Sequence, residues 1–251
     1  MKSQPRENRV LQGDVPCRQC LCTELSEVEY KEVWNLQLAI VAARKDKILN
    51  RDVILLIEHS PVFTLGRRGG LENLTVSKAF LKKMGIEVIH IERGGNITFH
   101  GPGQLVGYPI IDLRAARLSV VDYVNSLEEV MLRTATDYGV RAERNPMNRG
   151  IWVGNSKMGS IGIAVRRGIS FHGFALNVNL SLKPFQWINP CGLQGIGVTS
   201  LSREISRQIP MHRVRETAKR HMEAIFGIKL GTAGLPQLRN LLKAQEESEI
   251  N

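Results

Sequence analysis

Cys191 stands in Asn189-Pro190-Cys191-Gly192-Leu193-Gln194-Gly195, where Pro190 stiffens the approach and Gly192 leaves the far side of the thiol open. A reactive thiol needs such access, together with a neighbouring cation or base. A lone cysteine also serves as inert core filler, and the spacing leaves both readings open. Lys157 opens a second segment, Lys157-Met158-Gly159-Ser160-Ile161-Gly162, which continues through Phe171 to Val178. A lysine among small residues on a strand pair is equally at home solvated at a sheet edge. The third segment runs from Arg93 to Gln104 and is dense in glycine. Glycines let backbone approach a ligand closely, and exposed N–H groups favour anions or carbonyl oxygens; a tight hairpin is the plain alternative.

Other chemistries find little support. No G-x-G-x-x-G occurs and no Gly-Lys pair forms a phosphate loop, so nucleotide binding has no motif. Cys17, Cys20 and Cys22 look metal-like, but no second Cys or His pair lies nearby, and within a strand the three are expected to point to different faces. His59, His100 and His172 each sit near glycine or proline without an H-x-x-x-H pair, and no metal or cofactor is expected. The 34 basic and 24 acidic residues give a net charge of +10, which suits an acidic partner. Aromatic residues make up only 6% and the basic residues are dispersed, which argues against nucleic acid.

The elements that must position these segments follow from periodicity. Ser26 with Glu29 reads as a capping box opening a helix, with Val33, Leu36, Ile40 and Ala43 on one stripe. Val53–Ile57 reads as a buried strand, Ile86–Ile91 as another, and Leu105–Leu113 as a long extended stretch. Further helices are predicted over Ser77–Met84, Ser119–Tyr138, Met211–Phe226 and Leu235–Lys243, the first three closed by Gly85, Gly139 and Gly227. Residues 150–180 read as strands. Strands and helices intermix, so a single α/β domain is the simplest account. It divides into a polar arm at 1–14, a folded domain at 15–228 and an extension at 229–251. No apolar run approaches the ~20 residues that span a bilayer. The protein is expected to be cytoplasmic with reduced thiols and no membrane partner.

Together, Glu58 to Arg67, Arg93 to Gln104, Lys157 to Gly162, His172 to Val178 and Pro190 to Leu201 resemble the lipoyl(octanoyl) transferase family. R-G-G-x-x-T-F-H followed by G-P-G-Q, with P-C-G…T-S-L later in order, carries the likeness, which covers roughly Val15 to Ile228. The resemblance implies a mixed α+β sheet with packed helices, as in biotin and lipoate ligases. It implies transfer of an octanoyl group from octanoyl-acyl carrier protein to lipoyl domains of 2-oxoacid dehydrogenases and the glycine cleavage H protein. Cys191 matches the acyl-accepting nucleophile and Lys157 the lysine that lowers its pKa. Arg93, Gly94, Gly95, Asn96, Ile97, Thr98, Phe99 and His100, then Ser160, Ile161 and Gly162, then Gly173, Phe174 and Ala175, match the segments lining the acyl-substrate site. Gly159 stands where relatives often carry a larger residue and is expected to widen the pocket wall.

The implied chemistry is sound in energy. A free cysteine has a pKa near ~8.5, so holding it as thiolate at pH 7 asks roughly 2 kcal/mol of the site, which one close ammonium supplies. Exchange of one thioester for another is near neutral and the final amide is more stable, so nucleotide activation is not needed. Phe99, Ile161, Phe174 and Leu176 are candidates for an apolar slot, and Arg67, Arg68, Arg166 and Arg167 for a basic rim. The rival readings are an ATP-dependent lipoate or biotin ligase and a basic nucleic-acid-binding protein.

Overall fold

The computed structural model describes residues 17–189 and 197–243. Strand β1 (Arg18–Val28) places Cys20 and Cys22, two residues apart, in one apolar cluster, while Leu21 turns to the opposite one. The two thiols thus share a face, as a period of two requires, against the expectation of different faces. Burial pushes both up to about 12, far from a reactive thiolate.

Helix α1 (Tyr30–Lys45) begins four residues after Ser26, and its N-cap Glu29 makes no side-chain cap. The expected capping box does not form: the Ser26 hydroxyl accepts from Arg215 Nη2 at 2.7 Å, and the chain stays paired to the next strand as far as Val28. These long-range contacts outweigh a local cap worth ~1 kcal/mol.

Strand β2 (Asp52–His59) is buried at every position. Ile54 and Leu56 enter one core and Val53, Leu55 and Ile57 the other, which explains its unbroken apolar run. Next come β3 (Val62–Leu65), α2 (Lys78–Lys83), β4 (Glu87–His90) and β5 (Ile97–His100). These three strands form a small sheet of order β4-β3-β5. Ser77 caps α2 through Phe80 N.

The remaining elements are β6 (Gln104–Ile110), α3 (Val120–Asp137), β7 (Glu143–Arg144), β8 (Gly150–Val153), β9 (Ser156–Arg166) and β10 (Ile169–Asn177), then β11 (Gly197–Val198), α4 (Leu201–Glu204), α5 (Met211–Phe226), β12 (Ile228–Thr232) and α6 (Leu235–Lys243). The large sheet runs β12-β1-β2-β6-β10-β9-β8-β7, with β11 also on β9. β1 is parallel to β12 and β2, whereas β6, β10, β9 and β8 pair antiparallel, so the sheet is mixed. On one face α3 and α5 supply Tyr123, Leu127, Met131, Val214 and Met222; on the other α1 and α6 supply Val33, Ile40 and Leu238. Residues 229–243, set apart in the sequence as an extension, provide nearly all of edge strand β12 and all of α6. No helix among the described residues is long and apolar enough to cross a membrane.

One buried ion pair ties the layers together. Glu58, at the end of β2, accepts from Gly103 N at 2.9 Å and from Arg215 Nη2 at 2.7 Å. Gly103 O in turn accepts from Val178 and Asn179 N. The G-P-G-Q turn is thereby fastened to β2, α5 and the end of β10. Removing one member of such a pair leaves the other buried and uncompensated. Glu58→Ala is expected to lower the unfolding free energy by about 3 kcal/mol in urea titrations; a loss near zero would show the pair to be idle.

Candidate functional site

The loop that follows β4 joins the two sheets. Arg67 N and Arg68 N donate to the carbonyls of Arg93 and Gly95, at 2.9 and 3.1 Å, while Gly94 N donates to Ile163 O on β9 at 2.8 Å. The Arg93 guanidinium turns inward: Nη2 donates to Thr64 O at 2.7 Å and Thr64 Oγ1 at 2.8 Å, and Nη1 to Gly94 O at 3.0 Å. Two glycines make this approach possible. A Cβ at Gly162 would lie 2.8 Å from Arg93 Cδ and 2.9 Å from Gly94 O, and one at Gly66 would lie 2.6 Å from Gly95 O.

Between the sheets lies a cavity of about 580 Å³, within the range of small-molecule sites. Arg93, Gly94, Gly95, Asn96, Ile97, Thr98 and His100 line it, as do Lys157, Ser160–Gly162 and Gly173–Ala175. Phe99 does not: the alternation of β5 turns it into the small sheet's own core, where its ring meets Phe63 at 5.1 Å and Phe185 at 5.9 Å. Leu176 likewise belongs to the core beneath the large sheet. Gly159 faces that core too, since a Cβ there would meet Met131 Sδ at 2.7 Å. Its missing side chain makes room for Met131 and does not widen the cavity wall. Of the four candidate rim arginines Arg68 lines the cavity, Arg67 and Arg167 are exposed, and Arg166 stands 3.6 Å from Glu92.

Several lining residues were not singled out in the sequence. Tyr30, Val106, Tyr108 and Asn148 all reach the cavity, beside His172 and Asn177 of the segment already marked in the sequence. Tyr30, His59, His100 and Tyr108 cluster at its inner end, ring centroids 4.9 to 5.9 Å apart for the contacting pairs. His59 Nε2 and Tyr108 OH are 2.8 Å apart, His59 Nδ1 donates to Val28 O at 3.0 Å, and His100 Nδ1 lies 2.7 Å from Gln104 Oε1. Burial pushes His59 down to about 4 and His100 well below the usual range, and drives both tyrosines up. The cluster is neutral at pH 7. His172 is also lowered by burial, against the Glu92 carboxylate 3.6 Å away, and its φ is +55°. No three-residue metal cage of His, Cys, Asp or Glu is found among the described residues.

At the other end stands Lys157, only 7% exposed. Its Nζ donates to Asn148 Oδ1 at 2.6 Å and lies 5.2 Å from the Trp152 ring centroid. Trp152 Nε1 donates to Asn148 O at 3.0 Å, and buried Glu128 accepts from Gly150 N and Arg149 Nη1, at 2.9 and 3.1 Å. The turn presenting Asn148 is thus held from two sides. β11 brings Val198 opposite Lys157, and Thr199 N donates to Lys157 O at 3.0 Å. Asn177 Nδ2 donates to Thr199 O at 3.0 Å and its Oδ1 accepts from Gln104 Nε2 at 2.9 Å, so one polar chain runs from His100 to Thr199. Cys191 lies outside the described residues. The arrangement offers an ammonium at one end of a slot whose far end is neutral and aromatic.

The model of the lipoyl protein ligase A/B catalytic domain matches residues 29–223. An octanoyltransferase of Desulfotalea psychrophila is 50% identical over 206 residues, 81% of this chain and 92% of its own. Another, of Caldicellulosiruptor bescii, is 46% identical over 221 residues, 87% and 96% of the two chains. Among solved structures, a lipoate-protein ligase A bound with ATP gives a TM-score of 0.71 at 15% identity, covering 91% of this chain and 94% of that one. The putative lipoate protein ligase Ta0514 of T. acidophilum gives 0.70 at 14%, covering 92% and 95%. At such identity the structures speak for the fold, which is the mixed α+β fold expected.

Two outcomes follow from this geometry. His59 has a folded pKa of about 4, below the 6.5 of the free side chain. Above 6.5 both states are neutral and stability is intact; below it the unfolded chain takes up a proton that the folded one refuses. Stability is therefore lost as pH falls from 6.5 towards 4, and His100 and His172 act in the same sense. Urea unfolding at pH 5 is expected to give about 2 kcal/mol less than at pH 7; equal values would mean these histidines are not held neutral. Gly162→Ala sets a Cβ against backbone that cannot swing aside, and is expected to cost about 2 kcal/mol in the same assay.

Proposed function

The chain belongs to the lipoyl protein ligase A/B catalytic-domain family, and from that premise we propose that it is an octanoyltransferase working in protein lipoylation. The donor is octanoyl-acyl carrier protein. The acceptors are lysines on lipoyl domains of 2-oxoacid dehydrogenases and on the glycine cleavage H protein. The reaction belongs in the cytoplasm and uses neither cofactor nor metal.

It proceeds in two halves. The Cys191 thiolate attacks the thioester carbonyl, the carrier's C–S bond breaks, and the carrier thiol leaves with a proton. The ε-amine of the acceptor lysine then attacks the acyl-Cys191 carbonyl; an amide forms, the second C–S bond breaks, and the sulfur is free again. Lys157 favours the thiolate by charge and carries the proton between steps. Thioester energy drives the sequence, so no ATP enters.

What carries this reading is Lys157: a nearly buried ammonium held at 2.6 Å by Asn148 at one end of a slot walled by His100 and Tyr108. The length of the chain supports its pairing with Cys191. Val198 is opposite Lys157, and the seven Cα-to-Cα steps from 191 to 198 reach at most about 25 Å when extended, so proximity asks for no stretch. The net charge of +10, with Arg68 and Arg149 lining the slot, suits an acidic carrier protein.

The test is mass spectrometry of the full chain incubated with octanoyl-carrier protein and no nucleotide. Wild type is expected to gain one octanoyl group on Cys191, removable by hydroxylamine, and to pass it to a lipoyl domain. Cys191→Ser is expected to lose transfer at least about 1,000-fold while unfolding like wild type. Lys157→Ala is expected to acylate about 100-fold more slowly at pH 7 and to recover partly at pH 9. Transfer that requires ATP and leaves Cys191 unmodified would instead indicate a ligase.

A further inference from the structure

We propose that Tyr30 is the wall on which the end of the acyl chain rests, and that it thereby sets the longest acyl group the slot accepts. The inference rests on the octanoyl-transfer reading above and adds to it the residue that fixes chain length.

The strand order of the large sheet acts as a ruler. Lys157 lies on β9, and the cavity then passes over β10 to β6. Ser160 is opposite Ala175, and Ala175 opposite Val106, so three small side chains on adjacent strands share one face. With strands ~4.8 Å apart, this trough crosses about 10 Å between β9 and β6. Beyond Val106 the trough ends, since its direct partner on β2, Ile57, is fully buried in the core. A chain whose carbonyl lies near Lys157 therefore points its methyl end toward β6 and β2.

That end is closed by Tyr30. It is the one residue of α1 that lines the cavity, and it is 2% exposed. Its ring stacks on His100 at 5.9 Å and 17° and leans on His59 at 4.9 Å. The ring nitrogens of His59 are engaged with Tyr108 and Val28 O and Nδ1 of His100 with Gln104, so a ligand meets aromatic rings there. Tyr30 also has little room to retreat. It opens α1 directly behind Val28, which is paired to His59. On the far side its neighbours are apolar: Val62, Ile89, Ile91 and Trp34 form its own cluster. Removing the ring joins the slot to an apolar space that further methylenes can fill.

Each buried methylene is worth about 0.8 kcal/mol, close to fourfold in selectivity. The experiment is competition between hexanoyl, octanoyl, decanoyl and dodecanoyl carrier protein for wild type, Tyr30→Phe and Tyr30→Ala. Wild type is expected to fall away beyond eight carbons and Tyr30→Phe, which keeps the ring, to do the same. Tyr30→Ala is expected to raise the decanoyl-to-octanoyl ratio about tenfold. An unchanged ratio in Tyr30→Ala beside an active wild type overturns the proposal. A wild type that transfers no acyl group at all refutes the octanoyl-transfer reading instead. Should Tyr30→Ala fail to fold, wild type loaded with an octanoyl chain bearing a terminal diazirine decides the matter. Light-driven labelling of Tyr30, His100 or Tyr108 supports the proposal, and labelling confined to other residues overturns it.

Discussion

Arg93 carries a positive charge into a place with little access to water, and the cavity depends on how that charge is satisfied. Burying a cation costs several kcal/mol unless its donors are matched. Here the donors go to Thr64 on the small sheet and to Gly94 beside it, while the side chain's own methylene stem lies against Gly162 on the large sheet. Any Cβ at Gly66 or Gly162 would push the loop away. The arginine, the threonine and the two glycines therefore stand or fall together, and the spacing of the sheets follows from them. The same loop and the strand β5 that follows it supply seven of the residues that line the slot, through which recognition and architecture become one problem.

The inner end of the slot shows how polar residues can form an apolar wall. Tyr30, His59, His100 and Tyr108 would each be expensive to bury alone. His59 is bonded to Tyr108 and Val28 O and His100 to Gln104, and burial holds the histidines neutral. Ring faces are what they present. The opposite end holds a fixed ammonium. A slot graded in this way suits a ligand with a reactive polar head and an inert tail, in one orientation only.

The sequence was most legible where local signals and tertiary demands agree. Ser119 and Gly139 bracket α3, Gly227 ends α5, and α6 spans Leu235–Lys243 as its periodicity indicates. Where the two conflict, tertiary pairing prevails: β1 keeps its ladder to Val28, and Ser26 serves Arg215 instead of a helix end. The glycine-rich segments of the site were legible as a group, but side-chain direction within them was not. Phe99 and Gly159 each face a core, for reasons that depend on strand partners contributed by distant segments. Tyr30 and Tyr108 carry no local signal at all. One falls in the predicted helix outside its named stripe and the other within the extended stretch Leu105–Leu113, and only the crossing of α1 over β6 and β2 brings them to the cavity.

In the proposed reaction Lys157 needs both a fixed position and a mobile proton, and its partner reconciles the two. A carboxylate at residue 148 would hold the ammonium by charge and raise its affinity for the proton, opposing its release to a leaving group. The amide of Asn148 accepts one hydrogen bond without adding charge. Geometry is then secured from outside: Trp152 holds the Asn148 carbonyl, and Glu128 gathers the turn through Gly150 and Arg149. The carboxylate's charge is thus used one step away from Lys157, on the backbone that carries its partner. Asn148 thus gives the lysine a fixed seat without bringing a charge of its own.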